Sequence, residues 1–147
     1  MSALRELYQQ VIIDHGRHPR NQGVLADSTH RKQGYNPLCG DKLELTLRVE
    51  DDQIKEAQFL GSGCAISMAS ASLMTETLRG KTVEQAQLIF QQFHELLMGK
   101  SQDTDLLGKL LVLAGVMEFP ARVKCATLAW HTLMAALAED DAPVSTE

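Results

Sequence analysis

The stretch from Lys42 to Leu60, "KLELTLRVEDDQIKEAQFL", limits the possible folds more than any other part of the chain. Leu43, Leu45, Leu47 and Val49 alternate with charged or polar residues, and a period of two sends every second side chain to one face of a strand. Glu50 to Gln53 supplies a turn, and Lys55 to Leu60 reads as the returning strand of a hairpin. Ile54, Ala57 and Phe59 cannot all face one side at that period, which predicts a β-bulge or a strand that begins at Lys55. A lone hairpin is at best marginally stable in water. Its apolar face therefore needs cover from the rest of the chain.

That cover is helical. Leu4, Leu7, Tyr8, Val11 and Ile12 recur at helical spacing behind Ser2, a candidate N-cap, and predict a first helix to about Asp14, ended by "RHPRNQG". Ala65 to Gly80 mixes Ala, Leu and Met with Ser and Thr before a glycine suited to the C′ position. Thr82 and Gln85 make a capping box ahead of Val83, Ala86, Ile89, Phe90, Phe93 and Leu97, with an end near Gly99. Further helix is expected over Asp105 to Val116. Phe119 and Pro120 interrupt it, and a last helix from Ala121 to Ala138 carries Leu128, Thr132, Leu133, Ala136 and Leu137 on one face. Strands early and helices late give an α+β class, with helices packed on one face of a small antiparallel sheet. Residues 1–138 are expected to form a single domain, and "EDDAPVSTE", 139–147, a disordered tail.

Charge and composition narrow the function classes. The 147 residues are 44% apolar, enough for a real core without disulfide staples. The net charge is −5 with Lys and Arg scattered, so no electrostatic footprint for nucleic acid is visible. "MSALRELYQQ" lacks the apolar run of a secretory signal, and Leu106 to Met117, interrupted by Lys109, is too short to span a bilayer. A cytoplasmic protein with no membrane partner is expected. In a reducing compartment its three cysteines read as thiols, metal ligands or redox groups rather than a disulfide framework.

All three cysteines fall at element ends. Cys39 sits in "YNPLCGD" at the entrance to the hairpin, Cys64 follows "GSG" where strand gives way to helix, and Cys125 lies near the start of the last helix. At a helix N-terminus, free N–H groups and the macrodipole favour a thiolate. Asp41 shares a face with Cys39 if that segment is extended. Three thiolates and a carboxylate make a four-coordinate set suited to a tetrahedral ion such as zinc, or to iron in a sulfide cluster. The plain alternative is that these are small buried apolar residues, Cys64 in particular, because the spacings match no short zinc-finger pattern.

Residue identity adds to spacing. "DHGRHPRN", "NPLCGD", "GSGCAISMASASLM" and "RVKCATLAW" in this order resemble the family of iron–sulfur cluster assembly proteins comprising IscU, SufU and the N-terminal domain of NifU, over nearly the whole chain from Tyr8 to about Leu137. The resemblance implies a site at one end of the molecule built from Cys39, Asp41, Cys64 and Cys125. Three features resemble the SufU branch. Lys124 stands where IscU-type members carry a histidine before the third cysteine. "EFPARVK", Glu118 to Lys124, replaces a Leu-Pro-Pro-Val-Lys segment, and there is extra sequence near Gly99 to Gly108.

For SufU-like proteins the resemblance implies zinc at that site and a SufS-type cysteine desulfurase, a pyridoxal-phosphate enzyme, as sulfur donor. A desulfurase histidine would take one zinc position and free Cys39 to accept persulfide sulfur, with Cys125 the alternative acceptor. At most this is a zinc-dependent sulfurtransferase. The rival class is a scaffold on which a [2Fe–2S] cluster forms before transfer to client proteins. A third is a zinc that only props the fold. Around the site, Arg122 is expected to stabilise a nearby thiolate, to pair with Asp41 or simply to face solvent. For His15 and His18 the "DHGRHPRN" resemblance implies helix termination and partner docking rather than catalysis, while His94 and His131 read as solvated, and Met68, Met74, Met134 and Trp130 as packing.

Overall fold

The computed structural model of the protein describes residues 3–37, 39–100, 103–138 and 144–145. The elements run α1 (Ala3–Arg17), β1 (His30–Asn36), β2 (Asp41–Glu50), β3 (Gln53–Ser62), α2 (Ala65–Leu78), α3 (Val83–Leu97), a 3-10 helix (Gly108–Glu118), α4 (Pro120–Leu137) and β4 (Val144–Ser145). The sheet order is β3-β2-β1-β4, with the first three strands antiparallel and β4 parallel to β1. This is the expected α+β class.

The hairpin forms as its alternation requires. Leu43, Leu45 and Leu47 are buried on one face, and Ile54, Ala57 and Phe59 of β3 join them. The register shows how: Val49 pairs with Ile54 but Arg48 pairs with Glu56, so Lys55 is the extra residue of a bulge that brings Ile54 back to the core side. Asp51 and Asp52 both have positive φ, 52° and 62°, the geometry of a two-residue hairpin turn that follows the strand twist.

On the inner face α4 packs against β1 and β2, and α2 against β3. α2 is buried nearly all round, from Ser67 to Thr75 and at Leu78, because its Ala and Ser residues let neighbours approach closely. Against it lies α1, pinned by polar bonds: His15 Nδ1 meets Ser72 Oγ at 2.7 Å, and the Arg20 backbone N–H donates to the same oxygen at 2.8 Å. The capping box at Thr82 is present in full. Phe93 and Trp130 pack 5.3 Å apart at the centre of the helical layer. Met68 and Met74 are buried in the core and Met134 packs partly buried against it.

Several expectations need correction. α1 continues to Arg17, and its candidate cap Ser2 lies outside the described residues. Strand β1 was not foreseen, because its inward positions are Lys32, Gly34 and Asn36 rather than large apolar residues. The segment before α4 is a 3-10 helix, not an α-helix. His94 and His131 are half-buried, not solvated: they sit 5.5 Å apart and each packs on Phe90. The tail expected to be disordered lies outside the described residues except for Val144–Ser145, which pair with Gly34 and Tyr35. No described helix is long and apolar enough to cross a membrane.

Candidate metal centre

The end of β1, the start of β2, the end of β3 and the first turns of α4 meet at one edge of the sheet. Asn36 and Asp41 are register partners there. Cys39 lies in the tight turn between them, where Gly40 takes the left-handed conformation, φ 70°. β3 ends at Ser62, and Gly63 passes so close to Asp41 that a Cβ at Gly63 would overlap the carboxylate oxygen Oδ1. Only a glycine lets the chain enter α2 by this route. The Cys64 backbone N–H then donates to Asp41 Oδ1 at 2.8 Å, and its sulfur caps α2 by accepting from the Ser67 N–H at 3.4 Å. Cys125 is carried inward by the first turns of α4, which starts with a proline at its first helical position.

Cys39, Asp41 and Cys125 each offer a ligand atom, and these atoms lie within 4.8 Å of one another. Asp41 and Cys125 are fully buried and Cys39 is half-exposed. The Cys125 thiol donates to Cys39 Sγ at 3.1 Å. Cys64 stands outside that trio by strict distance yet belongs to the same cluster, tied through its backbone to Asp41. Its charge also bears on the Cys125 thiol. Burial first, then hydrogen bonds with Cys39 and Asp41 and the neighbouring charge of Cys64, push the Cys125 thiol far above its ordinary range. Without an ion, Cys125 is therefore the protonated partner that donates to Cys39.

Arg122, one turn before Cys125, donates through Nη1 to Cys39 Sγ at 3.7 Å. Hydrogen bonding with Cys125 and the charges of Cys64 and Cys39 raise its pKa, so it stays cationic beside the sulfurs. Arg122 is exposed, as the plainest of its expected roles requires, and its guanidinium reaches the Cys39 sulfur, while Asp41 is engaged by the Cys64 N–H and by Asn36. Asn36 is the residue that sequence reasoning missed: fully buried, its Nδ2 donates to Asp41 Oδ2 at 3.2 Å and reaches Cys125 Sγ at 3.5 Å. Its only sequence signal is adjacency, as the first residue of the "NPLCGD" run.

Next to the cluster a groove of about 430 Å³, lined by Tyr8, Ile12, Ile13, Ile66, Cys64 and Arg122, opens between α1 and the start of α2. Burial and then the charge of Glu118 raise the pKa of Tyr8, keeping it a neutral phenol there. A thiol-rich set with one carboxylate, largely withdrawn from water, fits a borderline-soft tetrahedral ion better than a hard cation that asks for six or more oxygens.

Comparison with known proteins places the chain in a family. Residues 7–139 match the family described as the NifU-like N-terminal domain. The chain is 45% identical over 139 residues to the zinc-dependent sulfurtransferase SufU of Bacillus subtilis (strain 168), covering 94% of each chain. It is 41% identical over 138 residues to the iron–sulfur cluster assembly scaffold protein IscU of Streptococcus pyogenes serotype M1, covering 93% of this chain and 86% of that one. The fold superimposes on the crystal structure of FiSufU, a SUF-system protein of the thermophilic Fervidobacterium islandicum AW-1. There the TM-score is 0.86 at 33% identity, over 90% of this chain and 98% of that one. On sequence and fold, the chain belongs to the NifU-like N-terminal domain family of iron–sulfur cluster assembly proteins.

Proposed function

We propose that this chain is a cytoplasmic SufU-type assembly protein, a zinc-binding sulfur acceptor that takes persulfide sulfur from a SufS-type cysteine desulfurase. The observation that carries this reading is the setting of Cys39: half-exposed at the rim, 3.1 Å from the Cys125 sulfur and within reach of the Arg122 guanidinium. The Bacillus relative, named a zinc-dependent sulfurtransferase, supports it. Cys39, Asp41, Cys64 and Cys125 are the ligand set. Cys64 can both cap α2 and ligate, because its sulfur has lone pairs beyond the one that faces the Ser67 N–H.

Zinc bound by these residues would hold the coordinating sulfurs as thiolates at neutral pH. The chain's own groups do the rest. Arg122 offsets the negative charge of Cys39 and of an arriving persulfide, and a largely apolar groove opens beside Cys64. In the transfer, the Cys39 thiolate attacks the terminal sulfur of the desulfurase persulfide. A new S–S bond forms on Cys39, the donor S–S bond breaks, and the desulfurase cysteine leaves as a thiolate, with no net oxidation. Cys125 is the alternative acceptor. Fully buried, where Cys39 is half-exposed, it is the less accessible nucleophile.

The test is to incubate zinc-loaded protein with a pyridoxal-phosphate cysteine desulfurase and free cysteine, then map sulfur adducts by mass spectrometry. One added sulfur on the Cys39 peptide is expected, together with faster desulfurase turnover, and both should vanish in Cys39→Ala. Sulfur on Cys125 alone, with Cys39→Ala still active, would contradict the assignment. A second reading, a scaffold for a [2Fe–2S] cluster, is favoured by the same thiols and by the similarity to a protein named as an IscU scaffold. Brown protein that passes its cluster to an apo-ferredoxin would establish it.

A further inference from the structure

Asn36 occupies a position that neither folding nor sulfur transfer has so far explained. It is the last residue of β1, opposite Asp41, and the strand alternation turns its side chain inward with Lys32 and Gly34. It is completely buried. Its Nδ2 reaches Asp41 Oδ2 at 3.2 Å and Cys125 Sγ at 3.5 Å, two groups that are five and 89 residues away along the chain. The nitrogen must face them, because a carboxylate oxygen only accepts. Meanwhile Oδ1 is buried with no hydrogen-bond partner among the described residues. Burying an amide with its acceptor unpaired costs stability, and an apolar side chain of similar volume would avoid that cost. The benefit of an asparagine here therefore lies in what its two N–H groups hold.

We propose that Asn36 is a positioning residue of the metal centre: it fixes Asp41 and Cys125 as the anchoring ligands and so leaves Cys39 as the ligand that exchanges. The proposal rests on the zinc-site reading above. The asymmetry follows from geometry. Asp41 is held from both sides, by Asn36 on Oδ2 and the Cys64 N–H on Oδ1, and Cys125 is held by Asn36 in the interior. Cys39 is half-exposed, and its side-chain donor besides Cys125 is the exposed Arg122.

The experiment uses the full chain as wild type, Asn36→Asp and Asn36→Leu. The first variant keeps the shape but replaces the donor with an acceptor, and the second keeps the approximate volume with no polar group. Zinc affinity is read by competition with a chromogenic chelator, cobalt-substituted protein by its thiolate-to-metal absorption, and cysteine order by mapping limited alkylation of the zinc-loaded form. Both variants are expected to bind zinc roughly 10- to 100-fold more weakly, the size seen when a group supporting a metal ligand is removed. Their cobalt spectra should be altered, and Cys125 should be alkylated alongside Cys39, whereas wild type loses Cys39 first. Variants with wild-type affinity, spectrum and order would overturn the proposal. So would variants that are unfolded without metal under conditions where metal-free wild type is folded, since Asn36 would then serve the fold alone. A wild type that fails to hold zinc in the same competition strikes at the zinc-site reading itself, a separate outcome.

Discussion

Asp41 shows how much of this site rests on single residues with little chemistry of their own. Its carboxylate is fully buried, satisfied on Oδ1 by the Cys64 N–H and on Oδ2 by Asn36. Gly63 makes that possible, because it takes a φ of 149° and leaves the carboxylate the space a Cβ would fill. Gly63→Ala is therefore expected to cost about 1–3 kcal/mol through backbone strain and to displace Asp41, weakening zinc binding. Denaturant melts of the metal-free protein with a zinc competition assay check both, and unchanged values in each would contradict the placement. The sequence set the three cysteines at element ends with Asp41 beside Cys39, and the resemblance of their motifs to a known family, rather than their spacing, singled them out as candidate ligands. Asn36 was not legible. An asparagine before a proline reads as a turn former, and only the fold reveals that its amide reaches two candidate ligands, Asp41 and Cys125, so far apart in the chain.

Among the elements, legibility followed side-chain periodicity. Strand β2 and the β3 bulge could be read because Leu43, Leu45, Leu47 and Ile54 commit to one face. β1 could not, since Gly34 is inward only because Thr132 and Leu128 of α4 fill the space a side chain would need. That strand is specified by tertiary packing. For the same reason the 3-10 helix resembled an α-helix in sequence, although Gly115 lies tight under the Tyr8 ring. The junction of α3 and α4 yields a pH prediction. Burial and then the charge of His94 lower the pKa of His131, while burial and then Arg20 lower that of His15 between α1 and α2. A base with a depressed folded pKa takes up its proton more readily in the unfolded chain. Stability from both histidines is thus complete above their ordinary value of 6.5 and is lost as pH falls below it. Denaturation midpoints should drop between neutral and mildly acidic pH, and drop less in His131→Phe, which keeps the ring packing on Phe90. An equal drop in both proteins would contradict this origin.

At the scale of the molecule, the sheet and α4 act as a frame that brings distant stretches of chain to one edge. The hairpin contributes Asp41, the turn before it Cys39, the β3–α2 junction Cys64, and α4 Cys125 with Arg122. The helical layer behind them, centred on Trp130 and Phe93, keeps α4 seated and so fixes Cys125. The central claim is that one ion is shared by three sulfurs and one carboxylate at that edge. Zinc K-edge X-ray absorption on the zinc-loaded protein tests it most directly. The account predicts one zinc per chain with three sulfur neighbours at about 2.3 Å and one oxygen at about 2.0–2.2 Å. A shell with two sulfurs or fewer, or a zinc signal unchanged in Cys125→Ser, would contradict it.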